Sequence, residues 1–278
     1  MPVAGTARAA ELLEQIADAA CLRVDARDVV VIVAHPDDET IGCGALLSRL
    51  KGVRVTVVTD GAPRNLADAR AHGFAAAEEY ALARSDELHA ALRIAGVESK
   101  RIVQLGVADQ EAAHSLPEIT TYLAAQFRAC GVGIAMTHAY EGGHPDHDAA
   151  AFCVHRAARR CSHPLCIVEM PFYRAEGTAD VRQSFVPCEN GAVVNIPLTL
   201  LQREMKQKMI AAHITQKNVL AGFSLDREQF RIAPDYDFSQ LPNGGRVLYD
   251  GENWGIDSTC WLDCVGRALA EEQSAACT

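Results

Sequence analysis

Positive charge is in short supply in this chain. Lys and Arg number 26 against 36 Asp and Glu, a formal net charge of −10. A chain this acidic does not hold nucleic acid by neutralising phosphates, nor an anionic lipid surface by charge alone. Long apolar runs are also missing: no stretch approaches the ~20 residues of a membrane span. The first twenty residues carry Glu11, Glu14 and Asp18 and lack the basic start and apolar run of a signal peptide. The ten cysteines contain no CxxC pair, so no zinc ribbon is signalled. Cys43, Cys130, Cys153 and Cys166 lie inside apolar periodic runs and read as buried thiols that pack as small hydrophobes. Repeats and low-complexity linkers are absent. What is left is the expectation of a cytoplasmic protein with reduced thiols. Its 278 residues, 49% of them apolar, are enough for one large domain with a sizeable core.

The richest stretch runs from Val29 to Thr40. Val29 to Ala34 is an apolar, β-branched run that predicts a fully buried strand. It stops abruptly at His35, Pro36, Asp37, Asp38 and Glu39, and Ile41 to Leu50 then carries apolar residues at helical spacing. The acids are thus expected in the turn between strand and helix. Ligands of open parallel sheets bind at the carboxyl ends of strands. Three carboxylates crowded there repel one another, and a bound cation relieves this. Capping of the helix is the plainer alternative. It needs only one acid, and it leaves His35 before a rigid proline without a purpose.

Along the chain, helices are expected at 7–19, 41–50, 75–95, 116–130, 148–159 and 199–221. Strands are expected at 29–34, 53–59, 101–105, 133–137, 166–170 and 192–196, with a loop and a short helical piece at 62–73. Strands alternate with helices from 29 to about 170, which predicts an α/β fold: a Rossmann-like, mostly parallel sheet with helices on both faces and the site at the carboxyl ends of its strands. The whole of 1–278 reads as a single domain with its core at about 29–170. Residues 171–278 form a flanking segment that walls the site. From Phe223 onward the periodicity is weak.

A second motif, His144-Pro145-Asp146-His147, repeats the grammar of the first: strand, histidine, proline, acid, then helix. Two strand ends lying side by side would bring His35, Asp37, Asp38, His144, Asp146 and His147 together. Two histidines and one carboxylate with open positions make a usual catalytic zinc set. That leaves a carboxylate to act as base and a histidine as acid or oxyanion stabiliser.

The pair AHPDDE at 34–39 and HPDH at 144–147 resembles the PIG-L/LmbE-like zinc N-deacetylases, over roughly residues 29–170. The resemblance implies zinc ligands at His35, Asp38 and His147, with Fe2+ or another divalent ion as the alternative to Zn2+. It implies Asp37 as the general base that takes a proton from the attacking water, and His144 as oxyanion stabiliser or acid. Asp146 is implied to orient and charge that histidine. Arg64, after the Thr59-Asp60-Gly61 turn, sits where the family often contacts substrate, though an exposed loop arginine is an equal reading. A weaker echo falls on Lys208, His213 and Gln216. Some family members carry a tyrosine two residues before HPDH. Here that position is Gly142, and Tyr140 lies four before.

The function so implied is metal-dependent removal of an N-acetyl or other acyl group from an amino sugar, glycoside or related small molecule. The expected partner is an N-acetylated sugar or glycoconjugate, with no nucleic acid, no membrane span, and a homo-oligomer left open. One alternative is an amidase on a thiol conjugate or acylated lipid with the same metal site. A nucleotide-binding module, suggested by Gly42-x-Gly44, is another. It lacks the third glycine at Leu47, and its glycines fall inside the helix, where they serve close packing.

Overall fold

The computed structural model describes residues 4–276 apart from 178 and 189–191. In chain order, the central sheet uses β1 (Val29–Val33), β2 (Arg54–Pro63), β3 (Ile102–Asp109), β4 (Ile134–His138), β5 (Cys166–Met170), β6 (Val194–Pro197) and β7 (Arg227–Ile232). The main helices are α1 (Ala4–Ala17), α2 (Asp38–Leu47), α3 (Ala77–Ile94), α4 (Leu116–Cys130), α5 (Pro145–Arg159), α6 (Leu200–Ala212) and α7 (Ser258–Ala276). The strand order is β6-β7-β5-β4-β1-β2-β3. β1 to β5 run parallel, and β6 and β7 add an antiparallel edge.

Every residue of β1 is buried because helices cover both faces of the sheet. The alternation of its side chains sorts them cleanly between two cores. Val29, Val31 and Val33 point into one with Leu12 and Ile16 of α1, Leu46 of α2, Leu88 and Leu92 of α3 and Met209 of α6. Val30, Ile32 and Ala34 point into the other with Leu123 and Phe127 of α4, Phe152 of α5 and Trp261 and Val265 of α7. Gly42 lets α2 lie against the sheet: a Cβ there would meet Met170 Sδ at 2.7 Å. This close packing accounts for that glycine without a nucleotide. No helix among the described residues is long and apolar enough to cross a membrane.

β1 pairs with β2 on one side and β4 on the other. The chain winds outward in opposite directions from β1, to β2 and β3 and to β4 and β5. The crevice between β1 and β4 is therefore the topological switch point, where open α/β sheets bind ligands.

Several boundaries differ from expectation, each for a local reason. Helix α2 starts at Asp38, so Asp38 and Glu39 lie in its first turn rather than before it. Likewise α5 starts at Pro145 and takes most of the second motif into its first turn, as proline at the first helical position favours. The expected 199–221 helix stops at Ala212, where His213 leaves helical geometry (φ −85°, ψ 71°), and resumes only as a short turn at Lys217–Leu220. Strand β7 was not expected. Its sequence, REQFRI, alternates buried charges with Phe230 and so lacks an apolar signature.

Candidate metal centre and active site

The two motifs meet at the switch point. His35 leaves β1 directly and is fixed through its backbone, whose N–H donates to Asp38 Oδ2 at 2.8 Å. Its ring Nδ1 lies 3.2 Å from the same oxygen. His147, on the first turn of α5, places Nε2 3.4 Å from Asp38 Oδ1. The ligand atoms of His35, Asp38 and His147 all lie within 4.8 Å of one another. Atoms bound at ~2.0–2.1 Å to one tetrahedral ion stand ~3.3 Å apart. The donor set and its spacing therefore fit a divalent ion.

Electrostatics support the same fit. Asp37, Asp38, Asp109 and Asp146 are all buried here, against one buried guanidinium, Arg84. Burial alone would keep His35 neutral. Asp109, Asp146 and Asp38 overcome it and push the imidazole well above its ordinary value. A cation is what this pocket stabilises.

Asp37 occupies the N-cap position of α2, yet its side chain makes no capping hydrogen bond. Capping does not explain it. Its carboxylate instead accepts from Arg84 Nη2 at 3.1 Å. Arg84 reaches in from α3 and also donates to Gly61 O at 2.7 Å and Pro36 O at 3.2 Å. Gly61 makes room for it: at φ 67°, an added Cβ would stand 2.6 Å from Arg84 Nη1. Burial pushes Asp37 up to about 6, with Arg84 pulling against it and Asp38 adding to it.

His144 caps α5, its Nδ1 accepting from the Asp146 N–H at 3.1 Å. Neutral His144 therefore carries its proton on Nε2. Burial, with His35 adding, holds its pKa well below the ordinary value. The Asp146 carboxylate is 4.0 Å from His144 Nδ1 and points elsewhere. It accepts from Gln110 N at 2.6 Å and Ala112 N at 3.1 Å and lies 3.4 Å from His35 Nε2. Arg64 stands apart from the metal cavity. It is bound to Asp60 at 2.6 Å and lines a neighbouring recess of about 350 Å³ with Asp109, Gln110 and Trp254.

The cavity between the motifs is about 140 Å³. His35, Asp37, Asp38, His144 and His147 lie in its floor, while Tyr173, Gln216, Val219, Phe223 and Trp254 come from the later part of the chain. Trp254 packs on His144 with ring centroids 4.5 Å apart. His138 stacks on His147 at 4.0 Å and accepts from Ala34 N–H. Tyr140 is not at the cavity. It bonds Gln240 O and Trp261 Nε1 in the core.

Sequence reasoning missed Asp109, whose Oδ1 lies 3.1 Å from His35 Nε2. Its only signal was an acid four residues beyond the strand expected at 101–105. Arg84 and Glu87, three positions apart on α3, are both buried. Glu87 accepts from Thr215 N and Oγ1 and ties α3 to the turn after α6. Lys208 is exposed, and the buried lysine is Lys206, whose Nζ binds Ile41 O and Glu228. His213 is buried against Thr40 and Glu39, outside the cavity. Gln216 does line the cavity, held by Tyr80 at 2.6 Å.

Fold and site together define an α/β protein with a His/Asp cluster that could hold a metal ion in the crevice at its switch point. Residues 30–158, which hold both motifs, match the family model PIG-L: GlcNAc-PI de-N-acetylase. Solved structures with the same fold include an antimicrobial pseudoaglycone deacetylase (TM-score 0.59, 18% identity, 77% of this chain and 99% of that one). A zinc-inhibited form of a teicoplanin deacetylase is similar at TM-score 0.59 and 16% identity, over 75% of this chain and 98% of that one. The N,N'-diacetylchitobiose deacetylase of Pyrococcus horikoshii is similar at TM-score 0.56 and 21% identity, over 84% and 94%. No curated protein sequence matches the chain.

Proposed function

We propose that this protein is a metal-dependent hydrolase that removes an N-acetyl group from an amino sugar or glycoside. The observation that carries the reading is the convergence of the two motifs on one buried cavity, with a carboxylate, Asp37, beside the ligand set but not engaged in capping. His35, Asp38 and His147 would hold the ion, zinc or another divalent metal such as iron(II). Such an ion polarises an amide carbonyl and acidifies water.

The chain's own groups do the rest. Asp37, pushed up to about 6, is ionised near neutral pH and basic enough to take a proton from the attacking water. His144 donates from Nε2 to the carbonyl oxygen as negative charge develops there. The carboxylic acid formed at Asp37 returns its proton to the departing nitrogen, so acetic acid and free amine leave with protons balanced, and the acid ionises to acetate on release. Asp146 fixes the β3–α4 connection against the motif rather than charging His144 directly.

A larger recess of about 670 Å³ shares Tyr173, Val219, Phe223 and Trp254 with the metal cavity. It supports a substrate with bulk beyond the acetylated sugar, as in the glycopeptide and chitobiose deacetylases of the same fold. Arg64 would meet substrate hydroxyls from the neighbouring recess. The test is a mass-spectrometric screen of N-acetylated sugars, glycosides and thiol conjugates with zinc-loaded protein. Loss of one acetyl group from a sugar substrate is expected. Turnover of a thiol conjugate alone would replace the sugar reading.

A further inference from the structure

A second cluster of metal-ligand side chains lies away from the catalytic cavity. Cys260 and Cys264 are one turn apart on α7 and so share a face. His114, on the helical turn Ala112–Ser115 packed beside α7, meets them there. The ligand atoms of all three lie within 4.8 Å of one another. Cys264 Sγ is 3.6 Å from His114 Nδ1. A sulfur at ~2.3 Å and a nitrogen at ~2.0–2.1 Å from one tetrahedral ion would stand ~3.5 Å apart.

We propose that His114, Cys260 and Cys264 form a second cation site, selective for zinc or a comparably soft ion. Two thiolates and an imidazole disfavour magnesium and calcium, which prefer oxygen. The cluster is open on one side, since His114 is exposed, while Cys264 is buried. Arg267 donates to Cys264 Sγ at 3.2 Å, a contact that helps carry thiolate charge and orients the sulfur. Asp257 accepts from the Cys260 N–H and fixes the start of the helix. Both thiols give up their protons on binding, so each divalent ion taken up leaves two neutralising charges on sulfur. The ion would tie α7 to the turn that begins at Ala112, whose N–H, with that of Gln110, holds Asp146.

The test is a cobalt titration of the full, reduced chain after metal removal. The catalytic cluster offers no sulfur, so thiolate-to-cobalt charge transfer reports the second site. Wild type is expected to bind two equivalents and to develop this near-ultraviolet band with one of them. Cys260→Ser and Cys264→Ser should lose the band and keep the other equivalent, and His114→Ala should weaken it about tenfold or more. No band in wild type, or an undiminished band in both serine variants, overturns the proposal. In unmodified protein, zinc in excess over two equivalents should also slow iodoacetamide labelling of half-buried Cys260 relative to exposed Cys188. Labelling of Cys260 that ignores zinc overturns it independently of any variant.

Discussion

Replacing Arg84 by Met tests whether a buried guanidinium sets the working pH of the base. Arg84 is 4% exposed and touches Asp37, Pro36 O and Gly61 O at once. A neighbouring cation lowers a carboxyl pKa by ~1–3 units. Without Arg84, Asp37 should therefore rise from about 6 to ~7–9. At ~8, only ~10% of it is ionised at pH 7, and roughly 90% at pH 9. The acid limb of kcat/KM should accordingly move up by ~1–3 pH units, and alkaline pH should restore most of the loss. The two orphaned carbonyls and the lost charge-assisted bonds should also cost roughly 2–4 kcal/mol of stability. Arg84→Lys keeps the charge but not the planar fork, so its limb should stay within about one unit of wild type. The assay is kcat/KM against pH on the acetylated substrate, with urea unfolding alongside. A uniform loss at every pH, with the limb unmoved, would show that Arg84 does not govern Asp37 and would refute the reasoning.

Three further outcomes are expected. Asp37→Asn should retain metal by elemental analysis and lose ~10²–10⁴-fold in kcat, and loss of the metal instead would reassign the residue. Lys206→Met strands Glu228, which otherwise holds Lys206 and the N–H groups of Ala45 and Leu46 in a fully buried site, and urea unfolding should show a loss of ~3–5 kcal/mol. His155 is pushed down to about 4 by burial, with Arg159 adding, so the native state binds fewer protons than the unfolded chain between pH 4 and its ordinary value of 6.5. Stability should therefore fall by up to ~3 kcal/mol as pH drops through that window, and His155→Leu should flatten the curve.

The parallel sheet and both motifs were legible because they rest on apolar periodicity and on residues that break it sharply. Val29 to Ala34 is one of the strongest strand signals in the chain, and the crevice follows from where it ends. Arg84, Glu87, Glu228 and Arg231 were not legible. Periodicity treats a charge as a mark of solvent, and these charges are buried because each finds a partner from a distant segment. Arg84 lies 47 positions from Asp37. Glu87 lies 128 positions from Thr215. The α7 helix was a different failure. Trp261, Cys264, Val265 and Ala268 carry a helical period and are all buried. The Asp- and Gly-rich run before them masked the start. Asp109 needed knowledge of how far β3 extends, and strand ends are the least certain feature of any pattern.

The cavity's floor and walls come from different parts of the chain. Residues 35 to 147 supply the histidines and aspartates, and residues 173 to 254 supply Tyr173, Gln216, Val219, Phe223 and Trp254. The reacting groups and the surfaces that judge the substrate are thus separately editable. On the proposed function, exchange of the later loops would retune which substrate is admitted while the chemistry stays intact, provided the Lys206–Glu228 pair that anchors α2 is kept. The converse also holds. A fragment cut to residues 30–158 would contain every histidine and aspartate of the two motifs but neither the anchor nor the walls, so the portable unit for engineering is the long chain and not the motif-bearing half.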